Sequence, residues 1–254
     1  MEIIGKIERS LENRRARHLV RSAGDRPIYH IHVRKTGGTT INFAFLTLSG
    51  RPDTTVFYEQ MAEKANHRTI SNGRVFVGWN PALINEGWYT YGFSHIPMHK
   101  IDLQRDPYLI TCLRDPVERV LSHYAMLLHF QTNGVKHPCM ETEGPWLGAS
   151  FDDFLNNLPK EHLMNQLYMF SADYNVEDAV GRLRKVDKVL YTADLNQQLR
   201  ELSSELGFQL PISNQKTFNV RPNFEPEQQL RLREMLDAEY QMLDALRGTK
   251  QGSE

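Results

Sequence analysis

The chain has 254 residues, of which 40% are hydrophobic and 24% are charged, as in an ordinary globular protein of one large or two small domains. Its 30 Lys and Arg residues against 31 Asp and Glu residues give a formal net charge of −1, which excludes a protein that coats nucleic acid through bulk charge. Two cysteines, Cys112 and Cys139, are too few for a disulfide framework and favour a reducing compartment.

The sequence pattern contains no signal for membrane insertion or export. No stretch approaches the ~18 consecutive apolar residues that a membrane helix needs. Residues 1–24 lack the apolar core of a secretory signal. We therefore expect a cytoplasmic protein with no integral membrane segment and no nucleic-acid partner, whose oligomeric state the sequence leaves open.

Hydrophobic periodicity predicts strands that alternate with helices along the chain. Strands are predicted at residues 28–33, 74–78, 90–94, 108–113 and 186–191. Helices are predicted at residues 3–22, 41–48, 116–130, 161–170, 175–185, 194–206 and 225–246. This alternation is typical of an α/β fold with a mainly parallel central sheet flanked by helices. We expect an N-terminal helical extension over residues 1–26, a single domain over residues 27–248 and a tail over residues 249–254.

One long connection interrupts this alternation. Residues 131–149 are polar and rich in Gly and Pro, and we expect them to be irregular. The segment is long for a plain connector, which favours a substrate loop. Ser150 and Asp153 have the spacing of a capping box and predict that a helix begins directly afterwards.

The first predicted strand leads into residues 34–40 (RKTGGTT), and a predicted helix follows. Glycines let backbone amides converge on an anion, and a helix N-terminus adds partial positive charge. Lys35 adds a full charge, and Thr36, Thr39 and Thr40 add hydroxyl donors. The lysine precedes the glycines, whereas it follows them in the nucleoside triphosphatase loop GxxxxGKS/T. The segment predicts a P-loop-like phosphate site, with an ordinary glycine turn as the alternative.

Residues 32–40 (HVRKTGGTT) resemble the 5′-phosphosulfate loop of carbohydrate sulfotransferases, which use 3′-phosphoadenosine 5′-phosphosulfate (PAPS) as donor. The loop is most similar to that of the heparan and chondroitin uronyl 2-O and glucosaminyl 6-O enzymes, which usually reads Pro-Lys-Thr-Gly-Gly-Thr. Arg34 replaces the proline here, which makes the loop entry less rigid and adds a charge. The resemblance implies that six loop residues bind the donor: Lys35, Thr36, Gly37, Gly38, Thr39 and Thr40.

A second motif supports the resemblance. Residues 113–124 (LRDPVERVLSHY) are similar to the family's 3′-phosphate segment, in which an arginine ends a strand and a serine lies on the next helix. Arg114 and Ser122 are the matching pair. An arginine can form two charge-assisted bonds to one phosphate, and a serine hydroxyl two turns along the helix can donate to the same group. Read alone, Arg-Asp-Pro is a surface ion pair at a helix start, but the two motifs together favour the family.

Weaker similarities extend the match from about Ile28 to Leu246 without adding specific motifs. They cover residues 162–168, 186–195 and 219–222 and the last predicted helix. The resemblance implies in-line transfer of the sulfuryl group, a reaction whose barrier is lowered by alignment and charge stabilisation. Lys35 would stabilise the leaving oxygen, and no metal is needed; no HExxH or paired CxxC spacing occurs.

The acceptor hydroxyl needs a general base, and a histidine has a suitable pKa of ~6.5. His95 directly follows the strand predicted at residues 90–94, at the edge of a parallel sheet where ligands bind. Residues 92–95 (GFSH) also align with the strand end that carries the base in the uronyl 2-O and glucosaminyl 6-O enzymes. His95 is therefore the predicted base. The alternatives are His99, His32, His30, His123, Glu59 and Asp102.

The resemblance implies a carbohydrate acceptor, which a basic groove and aromatic platforms would suit. Cations in suitable segments are Arg51, Lys64, His67, Arg68, Lys136 and His137. Aromatic candidates for stacking on sugar rings are Trp79, Trp88, Tyr89 and Trp146. Solvated surface charges and buried core aromatics are the alternative readings of these two groups.

Two other functions compete with a PAPS-dependent sulfotransferase. One is a P-loop kinase that uses ATP and magnesium, and the position of Lys35 before the glycines and the lack of a clear acidic metal ligand after a strand count against it. The other is a glycan- or nucleotide-binding module without catalysis. The presence of Lys35, Arg114, Ser122 and His95 together favours an enzyme over such a module.

Overall fold

The computed structural model describes residues 2–24, 26–62, 68–211 and 225–248, with side chains described except at residues 2–9 and 62. The strands are β1 (Ile28–Ile31), β2 (Thr69–Ser71), β3 (Arg74–Gly78), β4 (Tyr91–Ser94), β5 (Tyr108–Leu113) and β6 (Lys188–Tyr191). The helices are α1 (Glu2–Ala23), α2 (Gly38–Leu46), α3 (Asp53–Ala62), α4 (Pro81–Glu86), α5 (Pro116–Thr132), α6 (Cys139–Thr142), α7 (Phe151–Asn157), α8 (Lys160–Leu163), α9 (Asn165–Phe170), α10 (Val176–Leu183), α11 (Leu195–Leu206), α12 (Pro226–Met235) and α13 (Asp237–Gly248). Short 3-10 turns cover Thr47–Ser49, Met98–Lys100, Gly144–Leu147 and Thr192–Asp194. Lys64, His67, the segment 219–222 and the tail over 249–254 lie outside the described residues.

The chain divides into two compact units. The first unit comprises Met1–His32, Gly37–Cys112 and Lys185–Asn214 and contains nearly all of the sheet. The second unit comprises Val33–Thr36, Leu113–Arg184 and Gln215–Glu254, and its described residues are mainly helical. The single domain expected over residues 27–248, with its extension over residues 1–26, stays a prediction.

The sheet of the first unit has six strands among the described residues, in the order β2-β3-β4-β1-β5-β6. β1 is parallel to β4 on one side and to β5 on the other, β3 is parallel to β4, and β2 is antiparallel to β3. All four residues of β1 are buried, as is usual for a central parallel strand. The predicted α/β fold with a mainly parallel sheet is confirmed. Ligands in such sheets bind beyond the carboxyl ends of the central strands.

Aromatic stacking in the first unit fixes α2 on the sheet. Phe45 of α2 stacks on Tyr91 of β4 with ring centroids 4.4 Å apart and planes 7° apart. Tyr91 in turn stacks on Phe93 at 5.8 Å, and all three rings are buried. Such buried rings contribute large hydrophobic area and about 0.5–1.5 kcal/mol per well-oriented pair. The packing holds α2 in place against β4.

The second unit is organised around α5. Asp115 caps this helix by accepting a hydrogen bond from the Glu118 amide at 2.9 Å, and Pro116 occupies the first turn. Tyr124, on the buried face of α5, packs against Phe151 and Phe154 of α7 at 5.0 and 5.1 Å. α10 packs against both α9 and α13. These contacts give the unit its own hydrophobic core.

Predicted and observed elements agree best where the apolar pattern is strong. The strands predicted over 74–78 and 108–113 have those bounds, and the other three predicted strands are present but shorter. The helix predicted over 225–246 is two helices, since Leu236 leaves helical geometry at φ −104° and ψ 10°. The helix predicted over 161–170 divides in the same way at Met164, at φ −105° and ψ 47°.

Other elements were not predicted. Helices α3 and α4 and the short strand β2 have no counterpart among the predicted elements. The segment 131–149 contains α6 and a 3-10 turn and is therefore more ordered than expected. Ser150 caps α7 as predicted, accepting from the Asp153 amide at 3.1 Å, while the Asp153 carboxylate accepts from the Ala149 amide.

Candidate active site

The loop after β1 has an unusual backbone. Lys35 has φ +65°, a left-handed conformation that non-glycine residues seldom adopt outside turns and functional sites. Gly37 has φ +82° and directly precedes α2. The fully buried Thr36 donates its hydroxyl to the Val33 carbonyl at 2.9 Å, so this side chain closes the turn. Thr39 is exposed and Thr40 half-buried, both in the first turn of α2.

The second glycine of the loop, Gly38, is required because the ring of His32 lies very close to it. A Cβ atom on Gly38 would lie 2.0 Å from Cδ2 and 2.1 Å from Nε2 of His32. No real contact is that short, so the position accepts only glycine while the His32 ring stays where it is. The two glycines are therefore required for different reasons: Gly37 adopts a left-handed backbone conformation, and Gly38 leaves space for the His32 ring.

Gly38→Ala is expected to destabilise the protein by about 1–3 kcal/mol, because the methyl group must displace the buried His32 ring or the start of α2. Thermal unfolding of Gly38→Ala and of the unsubstituted chain measures this loss of stability. The matched control is Gly181→Ala in α10, where a Cβ meets nothing within 4 Å and alanine favours the helix by up to ~1 kcal/mol. Equal melting temperatures for Gly38→Ala and the unsubstituted chain would contradict the close approach.

His95 lies directly beyond β4 in the first unit, as predicted. Its Nδ1 lies 2.6 Å from the backbone carbonyl oxygen of His32. Because a carbonyl only accepts hydrogen bonds, Nδ1 must carry the proton, and Nε2 of the neutral ring is then the basic nitrogen. The side chain is half-buried, and its ring centroid lies 4.2 Å from that of His32. This hydrogen bond orients His95 as a general base would need.

The other candidate bases have different surroundings. His30 is fully buried, with Nδ1 2.8 Å from Asn42 Oδ1, and burial lowers its pKa to about 4. Glu59 accepts two hydrogen bonds from the Arg51 guanidinium. His99 is half-buried in the 3-10 turn after β4.

The aromatic candidate Trp79 lies beside His95 in the first unit. It directly follows β3 and has φ +55°, a left-handed conformation that is a marked outlier for so bulky a residue. Its indole packs edge-on against Phe93 at 4.8 Å and lies 6.4 Å from the His95 ring, and the side chain is half-buried. The sequence did not indicate this backbone conformation.

In the second unit Lys35 and Arg114 lie close together. Arg114 donates from Nη1 to the backbone carbonyl of Lys35 at 3.4 Å. Lys35 Nζ lies 3.3 Å from Met126 Sδ, a weak acceptor. Burial of the amine and the charge of Arg114 lower the pKa of Lys35 to about 8. Ser122 lies one helical turn before Met126 on α5 and is half-buried. The unit thus brings the predicted residues Lys35, Arg114 and Ser122 to one region.

Gln166, which the sequence did not indicate, holds the backbone of Arg114, and Glu239 in turn holds Gln166. The Gln166 side chain accepts from the Arg114 amide at 2.8 Å and donates to the Arg114 carbonyl at 3.0 Å. Fully buried Glu239 accepts from the Gln166 amide at 2.7 Å, and it forms a buried ion pair with Arg119 at 3.9 Å. Gln166 lies 52 residues along the chain from Arg114, and Glu239 lies 73 residues from Gln166, so no local pattern marks either residue.

An ion pair with a buried carboxylate fixes the half-buried Arg34, which stands where the similar loops have proline. Its guanidinium pairs with Glu143 from the segment 131–149, and Glu143 also accepts from His123 Nε2 at 2.7 Å. Burial opposes ionisation of Glu143, but the His123 hydrogen bond and the Arg34 charge hold the pKa of Glu143 at about 2. Burial lowers the pKa of His123 to about 4 in spite of Glu143. His123 is therefore neutral at pH 7 and serves this network.

Several residues considered for an acceptor groove have other roles. Arg68 is only 3% exposed and pairs with Glu86 at 2.7 Å, so it is neither a cation at the border of a groove nor a solvated surface charge. Tyr89 is fully buried and cannot stack on a sugar. Trp88 lies under the Arg105 guanidinium at 4.1 Å, and Trp146 packs on His162 at 4.6 Å.

The described residues form neither a metal-binding cluster nor a membrane-spanning helix. Within the described ranges, no group of three or more His, Cys, Asp or Glu residues has a geometry that holds a metal ion. No helix in the part of the chain that the structure describes is long and apolar enough to cross a membrane. The cytoplasmic location stays a prediction.

Comparison with known proteins gives one positive result. The model of a family described as "Sulfotransferase family" matches residues 18–236, which is most of the chain. The matched range includes the loop after β1, the start of α5 and His95. No curated protein was found to match the sequence.

Proposed function

Since the chain belongs to the sulfotransferase family, we propose that it transfers the sulfuryl group of PAPS to a carbohydrate hydroxyl with His95 as general base. The observation that carries this proposal is the hydrogen bond from His95 Nδ1 to the His32 carbonyl, which leaves Nε2 as the basic nitrogen. In the transfer step the acceptor oxygen attacks sulfur while its proton passes to Nε2. The bond between sulfur and the 5′-phosphate oxygen breaks, and adenosine 3′,5′-bisphosphate leaves.

The loop over residues 35–40 binds the 5′-phosphosulfate group in this proposal. The backbone amides of Gly37, Gly38 and Thr39 and the exposed Thr39 and half-buried Thr40 hydroxyls supply hydrogen-bond donors at the N-terminus of α2. Lys35 supplies the charge that stabilises the leaving phosphate oxygen as negative charge develops on it. The left-handed backbone of Lys35 supports this assignment, since strained residues cluster at binding loops.

Arg114 and Ser122 bind the 3′-phosphate in this proposal. The Gln166 clamp on the backbone of Arg114 supports the assignment, because it fixes the base of a long side chain before the ligand arrives. Glu118, one turn into α5, accepts from Arg114 Nη2 at 3.2 Å and is exposed, so water screens this pair. A phosphate dianion competes well with such a partner.

Trp79 supports a sugar as the acceptor. The half-buried indole lies 6.4 Å from the ring of the proposed base, where an aromatic face can pack against a sugar ring. Transfer of radioactive sulfate from PAPS to a panel of oligosaccharides tests this choice directly. Transfer only to phenols or simple alcohols would contradict a carbohydrate acceptor while leaving the sulfotransferase assignment intact.

Isothermal titration separates the proposal from its rivals. Adenosine 3′,5′-bisphosphate is expected to bind more tightly than ADP with magnesium, because Arg114 and Ser122 serve a 3′-phosphate that ADP lacks. Binding of ADP with magnesium alone would favour a kinase. Tight binding of the bisphosphate without transfer to any acceptor would favour a non-catalytic module.

Arg114→Ala is expected to raise the Kd of adenosine 3′,5′-bisphosphate about 10- to 100-fold, since a charge-assisted hydrogen bond contributes about 1.5–3 kcal/mol. Titration calorimetry measures this change. The control is Arg182→Ala on α10, which removes an arginine from a half-exposed pair with Asp178 and should leave the Kd unchanged. An unchanged Kd in Arg114→Ala would remove Arg114 from the donor site.

A further inference from the structure

Three histidine rings lie side by side in the first unit. The rings of His30 and His32 stack with centroids 5.0 Å apart and planes 16° apart, and the ring of His95 follows at 4.2 Å from that of His32. Asn42 of α2 is fully buried among these groups and contacts both His30 and His32. The hydrogen bonds of Asn42 therefore bear on which nitrogen carries the proton in the His30 and His32 rings.

The Asn42 amide oxygen faces Tyr91 and His30, and its nitrogen faces His32. The Tyr91 hydroxyl donates to Asn42 Oδ1 at 2.8 Å, and His30 Nδ1 lies 2.8 Å from the same oxygen. The other end of the amide is then Nδ2, which lies 3.3 Å from His32 Nδ1. An amide nitrogen only donates, so His32 Nδ1 accepts, and the neutral His32 ring carries its proton on Nε2.

The protonated edge of His32 faces the loop. Its Nε2 would lie only 2.1 Å from a Cβ on Gly38, the first residue of α2. His95 has the opposite tautomer, because its Nδ1 donates to the His32 carbonyl. Two neighbouring rings in one unit are thus held with complementary functions: one presents an N–H group and the other a basic nitrogen.

We propose that His32 donates a hydrogen bond from Nε2 to an oxygen of the anionic group bound at Gly38, with Asn42 as the positioning residue that fixes its tautomer. The inference rests on the proposed function for the identity of that anion. A neutral N–H donor at this position stabilises negative charge on the phosphosulfate oxygens during transfer and keeps its proton. His95 separately receives the proton of the acceptor.

Long-range proton–nitrogen NMR of the full chain labelled with ¹⁵N-histidine tests the tautomers at pH 7.5. The expected result is a protonated Nε2 in His32 and a protonated Nδ1 in His95, with resonances assigned from His32→Gln and His95→Asn. Adenosine 3′,5′-bisphosphate is expected to shift the His32 Nε2 resonance. A proton on His32 Nδ1, or no shift at saturating bisphosphate, would overturn the inference.

Activity measurements add a second test. His32→Leu is expected to lower kcat by about 10²–10³-fold, as for loss of one donor to a developing oxyanion, whereas His32→Gln keeps an N–H donor and should stay within ~10-fold of the unsubstituted chain. Equal losses in the two variants would overturn the donor role. The NMR experiment does not depend on catalytic turnover. If the chain showed the expected tautomers and the expected shift but transferred no sulfate, the result would contradict the proposed function and not the role of His32.

Discussion

His95→Ala is expected to lower kcat for sulfate transfer by about 10²–10⁴-fold while the Kd of adenosine 3′,5′-bisphosphate stays unchanged. The reason is that the His95 ring receives the acceptor's proton but is not assigned to donor binding. Its Nδ1 donates to the His32 carbonyl at 2.6 Å, so Nε2 is the nitrogen that can accept this proton. Single-turnover transfer with labelled PAPS measures kcat, and calorimetry measures the Kd.

The matched variant for this experiment is His99→Ala. His99 is half-buried four residues beyond His95, in the 3-10 turn after β4. We expect its removal to change kcat by less than a few fold. A large loss in His99→Ala together with full activity in His95→Ala would assign the base to His99 and contradict the proposed mechanism.

Lys35→Ala is expected to lower kcat/KM for PAPS by about 10²–10³-fold, because it removes the charge nearest to the leaving oxygen in the proposed step. The pKa of Lys35 is lowered to about 8 by burial and by the charge of Arg114. The amine is therefore charged below pH 8 and loses its charge as the pH rises through that value. In the unsubstituted chain, kcat/KM for PAPS is expected to fall above pH 8.

Lys35→Arg distinguishes charge from shape. A guanidinium stays charged at every pH used, so the fall above pH 8 should disappear in this variant, although its different geometry lowers the maximum. Lys185→Ala, which removes an exposed lysine, is the control and should keep the original pH profile. An alkaline fall that persists in Lys35→Arg would show that another group causes it.

Much of the fold was predictable because its elements have strong local patterns. β5 is a mostly apolar run between Pro107 and Arg114, and Asp115 with Pro116 marks the start of α5. Helices α3 and α4 and strand β2 were missed because they are short or weakly periodic. The break at Leu236 was missed because the apolar stripe continues through it, and Leu236 itself is fully buried.

The candidate site was predictable only where its chemistry is local. The loop over residues 34–40 and Arg114 could be identified because each follows a strand directly. Gln166, Glu239 and Asn42 could not, since their roles come from contacts with residues distant along the chain or from the orientation of a buried amide. Sequence patterns also gave no sign that Arg68 is buried in ion pairs.

The residue at position 34 links the loop to a distant part of the same unit. Its backbone amide donates to Asn165 Oδ1 at 3.2 Å, a bond that the proline of the similar loops cannot make, and its guanidinium pairs with the buried Glu143. In the similar loops the covalent ring of proline makes this position rigid, whereas here the ion pair between Arg34 and Glu143 does so. The effects of substitutions at positions 34 and 143 therefore depend on each other. Arg34→Pro alone leaves the buried Glu143 carboxylate with one partner fewer, which is strongly destabilising. Arg34→Pro combined with Glu143→Gln also removes the negative charge, so the double variant loses less stability.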